Sequence, residues 1–531
     1  MGPLSAAALP WTADLGDGGY RNPVLNADWS DPDVVRVGAD YYMTASSFHR
    51  VPGLPILHSR DLVNWTIIGH ALPTPEPAEA YARPRWGCGV WAPAIRHHAG
   101  LFWIFYPDPD HGLYVVTAEN PAGPWSRPRL LKAGRGLIDP CPLWDADGKA
   151  YLVHAWAKSR AGFNNRLTLH KMSPDARRLL DAGTVVVDGD LIPGCRTLEG
   201  PKIYRHGGEY WIFAPAGGVE HGWQSVFRAG DPFGPYEHRI VLAQGDTEIN
   251  GPHQGVWVDT PSGEHWFLHF QDRGAYGRVV HLQPMRWRPD DGWPVLGSDG
   301  TPVLGHRKPD TGWVGPPSAP AASDDFTGVT LGPQWGWHGL PDPAWWSLRE
   351  PGLLRLACRQ DTACGDLRAL PNVLTQRLPA TTFTATTSVT LAAASPGARA
   401  GLTVIGDSYA WVGLEETGDG PSLVHRVAPA VDEPERDASA PRPLPSGTTT
   451  VRLMVQVSGG ARVTFRADRG AGWEPLGGEF TATPGRWVGA SLGLFATAPE
   501  KSAPEKRAPE ERGPAGHAAF GAFDVSGEER T

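Results

Sequence analysis

The sequence predicts an all-β chain in which a five-bladed β-propeller precedes a β-sandwich. Two observations carry this expectation: a fivefold recurrence of strand and turn signals before about residue 310, and a change to longer alternating strands from Asp324 onward. A third agrees with both. The chain carries 65 Gly and 53 Pro in 531 residues, a composition suited to short strands joined by tight turns.

The propeller is read from its repeat. Each unit opens with a polar residue just ahead of a proline, crosses a short strand, turns at a Gly or Asp-Gly, and re-enters a strand dense in aromatics. The openings are SDPDVVRVG from Ser30, WAPAIRHHAG from Trp91, IDPCPLWDADG from Ile138, LEGPKIYRHGG from Leu198 and NGPHQGVWVDTPSG from Asn250. The returning strands are YYMTAS, LFWIFYP, AYLVHAW, EYWIFAP and HWFLHFQ, and two more strands follow in each unit. Four strands per unit at a spacing of about 50 residues describe propeller blades, and five units close a ring over residues 1–310. A pair of sandwiches would not require the openings to resemble one another.

A propeller brings the first strand of each blade to the central axis, so equivalent residues at the openings ring one end of a funnel. The residues beside the prolines are Asp31, Ala92, Asp139, Glu199 and, in the fifth unit, the stretch Asn250 to His253. Carboxylates crowded together repel and lose hydration, so three acids facing one axis are costly to keep. Any one of them alone reads as a turn cap. Three at matching places read as chemistry, because glycosidic hydrolysis needs one carboxyl to protonate the leaving oxygen and another to activate water or attack the anomeric carbon. A third can hold the acid protonated, since a neighbouring anion disfavours ionisation.

The totals narrow the partners. Net charge is −9 with both signs well mixed, which gives no footprint for nucleic acid or an anionic membrane and suits a neutral substrate. The 23 Trp supply core packing and flat faces for sugar rings. Cys88, Cys141, Cys195, Cys358 and Cys364 have no metal-ligand spacing and read as reduced thiols. No apolar run approaches the roughly 18 residues that cross a bilayer. The opening MGPLSAAALPWTADLGDGG has no basic n-region and a small-residue run broken by Pro10, so the expected compartment is the cytoplasm. A homo-oligomer is left open.

The segments NPVLNADWSDPDVVRVGADYYM, GVWAPAIRHHAG, GLIDPCPLWDADGKAYLVHAW, LEGPKIYRHGGEYWIFAPAGG and NGPHQGVWVDTPSGEHWFLHFQDRGAYGRVVHLQPMRW resemble the successive blade motifs of glycoside hydrolase family 43. The resemblance implies an inverting hydrolase with Asp31 as general base, Asp139 as pKa modulator and Glu199 as general acid. It also implies that Arg278 contacts the terminal sugar, that Phe48 and Trp91 are aromatic walls, and that His253 lies near the axis. No cofactor is required by such chemistry. The resemblance leaves room for one water-coordinated Ca2+ at the axis beside His253, although a lone imidazole is a poor signature for a hard cation.

From Asp324 the segments up to RWVGASLGLFATA alternate as sandwich strands over residues 324–531, after a linker, TGWVGPPSAPAAS. This half resembles the concanavalin A-like domain that follows the propeller in many xylosidases and arabinofuranosidases of the family. It is expected to pack on the propeller and wall the active-site entrance. Residues 498–516, an APEK-like repeat rich in charge and proline, are expected to form a mobile loop between paired strands GLFATA and HAAFGAFDV.

The expected function is release of terminal xylose from short β-1,4-xylo-oligosaccharides derived from hemicellulose. The alternative is an α-L-arabinofuranosidase acting on arabinoxylan fragments, since the same catalytic trio serves both pentoses. A non-catalytic sugar-binding propeller is disfavoured by the presence of all three acids.

Overall fold

The computed structural model describes residues 9–393, 395–500 and 515–527. Five antiparallel four-stranded sheets form its first part. Blade 1 contains Asp33–Val37, Asp40–Thr44, Gly53–Ser59 and Trp65–Leu72; blade 2 contains Ala94–His98, Leu101–Asp108, Gly112–Ala118 and Arg129–Ala133. Blade 3 contains Leu137–Trp144, Ala150–Trp156, Arg166–Met172 and Thr184–Asp188; blade 4 contains Lys202–His206, Glu209–Ala216, Trp223–Ala229 and Glu237–Ala243. Blade 5 contains His253–Asp259, His265–Asp272, Arg278–Trp287 and Pro294–Leu296.

The turns that make these blades short follow from local chemistry. In blade 4, His206 pairs with Glu209 across Gly207 and Gly208, whose φ values of 59° and 85° give the two-residue hairpin only glycine-like residues enter cheaply. The strands that follow explain the aromatic runs. Leu101–Asp108 and Glu209–Ala216 are buried at every position after the first, because neighbouring blades cover both faces of the sheet. Trp29, Trp65, Trp211, Trp266 and Trp293 are sealed in these inter-blade layers.

The ring is closed from its two ends. Gly19–Arg21 pairs with Gly305–Arg307, and Leu25 bridges to Val280 in blade 5. Asn22 Nδ2 donates 2.8 Å hydrogen bonds to the carbonyls of Leu282 and Val303, and its Oδ1 accepts from Leu282 N–H. Early residues therefore stitch the last blade to the first.

The second part is a sandwich of two eight-stranded sheets, each dominated by antiparallel neighbours. Phe383–Ala393 buries alternate side chains against the core and leaves the others half exposed, as a strand with one covered face should. Asp324 bridges to Phe523 at its beginning. The expected pairing of GLFATA with HAAFGAFDV is corrected. Ser491–Pro499 lies in one sheet beside Leu374–Arg377 and Arg399–Ile405, whereas Gly516–Phe520 lies in the other beside Leu354–Ala357 and Phe383–Ala393. Each of the two strands finds a core-facing partner in its own sheet, so chain proximity does not dictate their pairing. Most of the APEK-like repeat lies outside the described residues.

The two parts are pinned together by backbone and buried charge. Trp337 and Val51 exchange backbone hydrogen bonds of 2.7 and 3.0 Å. The Tyr276 hydroxyl donates to Ser458 O and Thr381 O and accepts from Ala461 N–H. Gly489 N–H donates to Asp28 Oδ2 at 2.9 Å, and the Arg377 guanidinium lies 3.9 Å from the Trp29 ring centre.

Candidate active site

The five openings converge as the repeat requires, in two rings separated by one residue. The residue after each proline, or after Gly255 in blade 5, pairs with the second strand of its blade: Asp33 with Thr44, Ala94 with Phe105, Cys141 with Val153, Lys202 with Phe213 and Val256 with Leu268. Two positions earlier stand Asp31, Ala92, Asp139, Gly200 and Gln254. Three positions earlier stand Ser30, Trp91, Ile138, Glu199 and His253. The equivalence of Glu199 with Asp31 and Asp139 expected from the repeat is therefore corrected by one residue. Glu199 shares its place with Trp91 and His253, and a glycine takes the position next to the proline.

The reason lies in the backbone. Asp31, Asp139, Gly200 and Gln254 have φ of 56°, 55°, 59° and 50°, in the left-handed region. Aspartate tolerates that conformation better than most residues, at a cost of about 1 to 2 kcal/mol. At blade 4 there is no room for a side chain: a Cβ on Gly200 would meet Gln254 Oε1 at 2.5 Å. The acid of this blade enters from the next residue out.

All seven residues expected at the site line one pocket of about 100 Å³: Asp31, Phe48, Trp91, Asp139, Glu199, His253 and Arg278. Six further residues complete its lining, namely Ala92, Ile138, Val219, Gln254, Phe270 and Trp487. Below the pocket the axis is filled. Lys202, fully buried, donates to Pro93 O at 2.9 Å and lies 3.9 Å from the buried Asp33, which also holds Arg96 at 2.7 Å. The cavity has a floor.

Each acid has a distinct setting. Asp31 accepts from Ser46 Oγ at 2.5 Å, Ser30 Oγ at 3.0 Å and Arg278 Nη1 at 3.1 Å, which fixes the carboxylate plane. Asp139 accepts from Gly200 N–H at 2.7 Å and Gln254 Nε2 at 3.4 Å. Burial, followed by the Glu199 carboxylate beside it, pushes the Asp139 carboxyl up to about 8 against the opposing pull of the Gly200 N–H. Glu199 keeps 24% of its side chain exposed toward the pocket, and its Oε1 lies 3.3 Å from His253 Nε2. The carboxylate partner of His253, absent from its sequence neighbourhood, is supplied by Glu199 at the opening of the adjacent blade.

Arg278 is buried, donates also to Ser30 Oγ at 2.7 Å, and lies between two rings, 4.7 Å from the centre of Phe270 and 5.8 Å from that of Trp487. Phe48 and Trp91 stand 6.5 Å apart, and Trp487 meets Trp91 edge-on at 6.4 Å. Trp487 belongs to the sandwich and is 40% exposed, an unusual exposure for so large an apolar surface unless something covers it.

Residues 20–294 match the profile of "Glycosyl hydrolases family 43", and residues 323–508 that of "Beta xylosidase C-terminal Concanavalin A-like domain". The chain belongs to glycoside hydrolase family 43. Among the proteins similar to this family 43 hydrolase is a putative beta-xylosidase of Xylanibacter ruminicola, 41% identical over 76% of this chain and 74% of the other. A beta-xylosidase of Formosa agariphila is 32% identical over 91% and 88%. A non-reducing end alpha-L-arabinofuranosidase of Bacteroides ovatus is 32% identical over 73% and 74%.

Trp487 is the functional residue that sequence reasoning on this hydrolase missed, along with Gln254 and Phe270. Gln254 follows His253 within the quoted GPHQG segment and was legible there. Trp487 sits in GRWVGA with nothing nearby to mark it; only the docking of the two domains brings it to the pocket.

Proposed function

We propose that the chain is an inverting exo-acting β-xylosidase that releases xylose from the non-reducing end of short β-1,4-xylo-oligosaccharides. The observation that carries this reading is the convergence of Asp31, Asp139, Glu199 and Arg278 in a floored pocket that Trp487 walls from the other domain. A pocket closed below accepts a chain end and excludes a threaded polymer. Its small volume suits a single pentose.

In this reading Glu199 gives its proton to the glycosidic oxygen as the bond from C1 breaks, and Asp31 takes a proton from the water that attacks C1 from the opposite face. The two carboxyls end with their protonation exchanged, and solvent restores them. Ser30, Ser46 and Arg278 orient Asp31; Arg278 also offers its guanidinium to sugar hydroxyls. Asp139, linked to the Glu199 backbone through Gly200 N–H, resists loss of the proton that Glu199 must deliver.

The pocket offers an axial calcium no protein cage. A hard cation takes six to eight oxygens, and among the described residues no group of three or more histidine, cysteine or carboxylate side chains is placed to hold a metal ion. His253 would meet an ion only through water.

Arabinofuranosidase action is the second reading, supported by the Bacteroides ovatus relative. Kinetics on the nitrophenyl β-xyloside and α-L-arabinofuranoside decide between the two, and proton NMR of the first-formed sugar tests inversion. The proposal expects faster xyloside turnover, an α anomer as first product, and a loss of about 10² to 10⁴ in kcat/KM for xylobiose in Glu199→Gln. A β anomer, or an unimpaired Glu199→Gln enzyme, refutes the mechanism.

A further inference from the structure

Beside the pocket mouth, three arginines converge on one carboxylate. Arg85, Arg160 and Arg135 lie 2.7, 3.2 and 3.7 Å from Asp110. Three positive charges against one negative leave a local excess of two in a chain whose net charge is −9. The other acid of this loop, Asp108, is fully buried and accepts from the Tyr81 hydroxyl. Composition does not explain the cluster.

Its position does. The Arg160 guanidinium lies 5.6 Å from the ring centre of Trp91, which is a wall of the pocket. On the same rim Arg486, packed against Gly87, lies 5.0 Å from the ring of Trp487. The side chains of Arg135 and Arg85 are 70% and 35% exposed, so their remaining donors face solvent. A sugar seated in the floored pocket must direct its leaving group outward through this mouth. A guanidinium matches a carboxylate with paired N–H donors.

We propose that the leaving-group side of the mouth recognises a carboxylate, so that the preferred substrates are xylo-oligosaccharides carrying a uronic acid branch near the bond to be cut. This inference rests on the xylosidase reading above. It adds a charged subsite formed by Arg85, Arg135 and Arg160, in which Asp110 holds the arginines together and leaves charge to spare.

The test isolates the charge. A xylotriose bearing a glucuronic acid branch on its second sugar is compared with the same molecule whose branch carboxyl has been reduced to the alcohol. The ratio of the two kcat/KM values is independent of the fraction of folded enzyme. A ratio of about two to five is expected at low salt, the size of a favourable exposed ionic contact. It should fall toward one in about 0.5 M NaCl, and in the Arg85→Ala/Arg135→Ala double variant. A wild-type ratio of one or less, a ratio untouched by the double variant, or cleavage of xylotriose with neither branched molecule accepted overturns the charged subsite. Failure to cleave unbranched xylotriose at all overturns the xylosidase reading itself.

Discussion

The N–H of Gly200 donates a 2.7 Å hydrogen bond to Asp139 Oδ2, so the carboxyl of blade 3 is fastened to the backbone that carries Glu199 in blade 4. Asp139 thereby influences Glu199 in two ways. Under the proposed mechanism it fixes where the acid stands, and the two neighbouring carboxyls disfavour ionising together, so that the pair retains a proton.

Asp139→Asn should separate these roles. The amide can keep accepting from Gly200 N–H but carries no charge. The alkaline limb of kcat/KM should then move to lower pH, with kcat reduced at least tenfold. An alkaline limb that stays in place would exclude the charge role.

Stability supplies an independent reading of the same group. The folded protein holds the Asp139 proton up to about 8, whereas an ordinary aspartate releases it near 3.8. The native state therefore binds more protons than the unfolded state between these values, and stability falls as pH rises through that window. Asp139→Asn should remove this slope. Thermal melts at pH 5 and pH 8 would show a smaller drop in the variant than in the wild type, and equal drops would count against a protonated Asp139.

Gly200→Ala should damage catalysis beyond its cost to folding. The residue has φ of 59° and a Cβ there would strike Gln254 Oε1 at 2.5 Å, displacing the side chain that also meets Asp139. Gly207 provides the control, with the same φ and open space around its Cβ position. Both alanine variants should lose about 1 kcal/mol of stability. Only Gly200→Ala should lose tenfold or more in kcat, and similar activities for the two would remove the steric argument.

How far the sequence could be read follows from what each feature depends on. The blades were legible because a repeat states its turn and strand chemistry five times over. Asp31, Asp139 and Glu199 were legible because symmetry carries the blade openings to the axis, whereas Arg278, on the third strand of blade 5, was legible only through the family resemblance. The one-residue offset of Glu199 was written in the text as Glu-Gly-Pro against Asp-Pro, but its meaning depends on the left-handed turn and on Gln254 filling the space over Gly200. Trp487 was illegible. It reaches Arg278 and Trp91 through the packing of one domain on another, and no periodicity within either domain encodes that docking.

Trp487→Ala should accordingly weaken substrate binding while leaving the fold intact. The ring is 40% exposed and spans Arg278 and Trp91 at the pocket rim. Loss of an aromatic wall of this kind should cost about three- to tenfold in kcat/KM, mostly through KM. Unchanged kinetics on xylobiose would show that the sandwich merely abuts the site.

The final prediction concerns the seam that holds Trp487 in place. His49 of the propeller and His338 of the sandwich are both buried, their rings 5.5 Å apart and each packed on Trp86. Burial, then the charge of Arg50, lowers His338 to about 3, and burial, then His338, lowers His49 well below 6.5. Above pH 6.5 both states of the chain carry neutral imidazoles, and the seam is at full strength. As pH falls from 6.5 toward 3, the unfolded chain gains protons that the folded one refuses, so stability is lost, by about 2 kcal/mol per histidine at pH 5. His338→Phe keeps a ring in the seam and removes one proton site. Its melting temperature should fall less than that of the wild type between pH 7 and pH 5, and a parallel fall in the two proteins would show that other groups set the acid limit. Because Phe48, a pocket wall, immediately precedes His49, acid should also weaken substrate binding before the propeller itself unfolds.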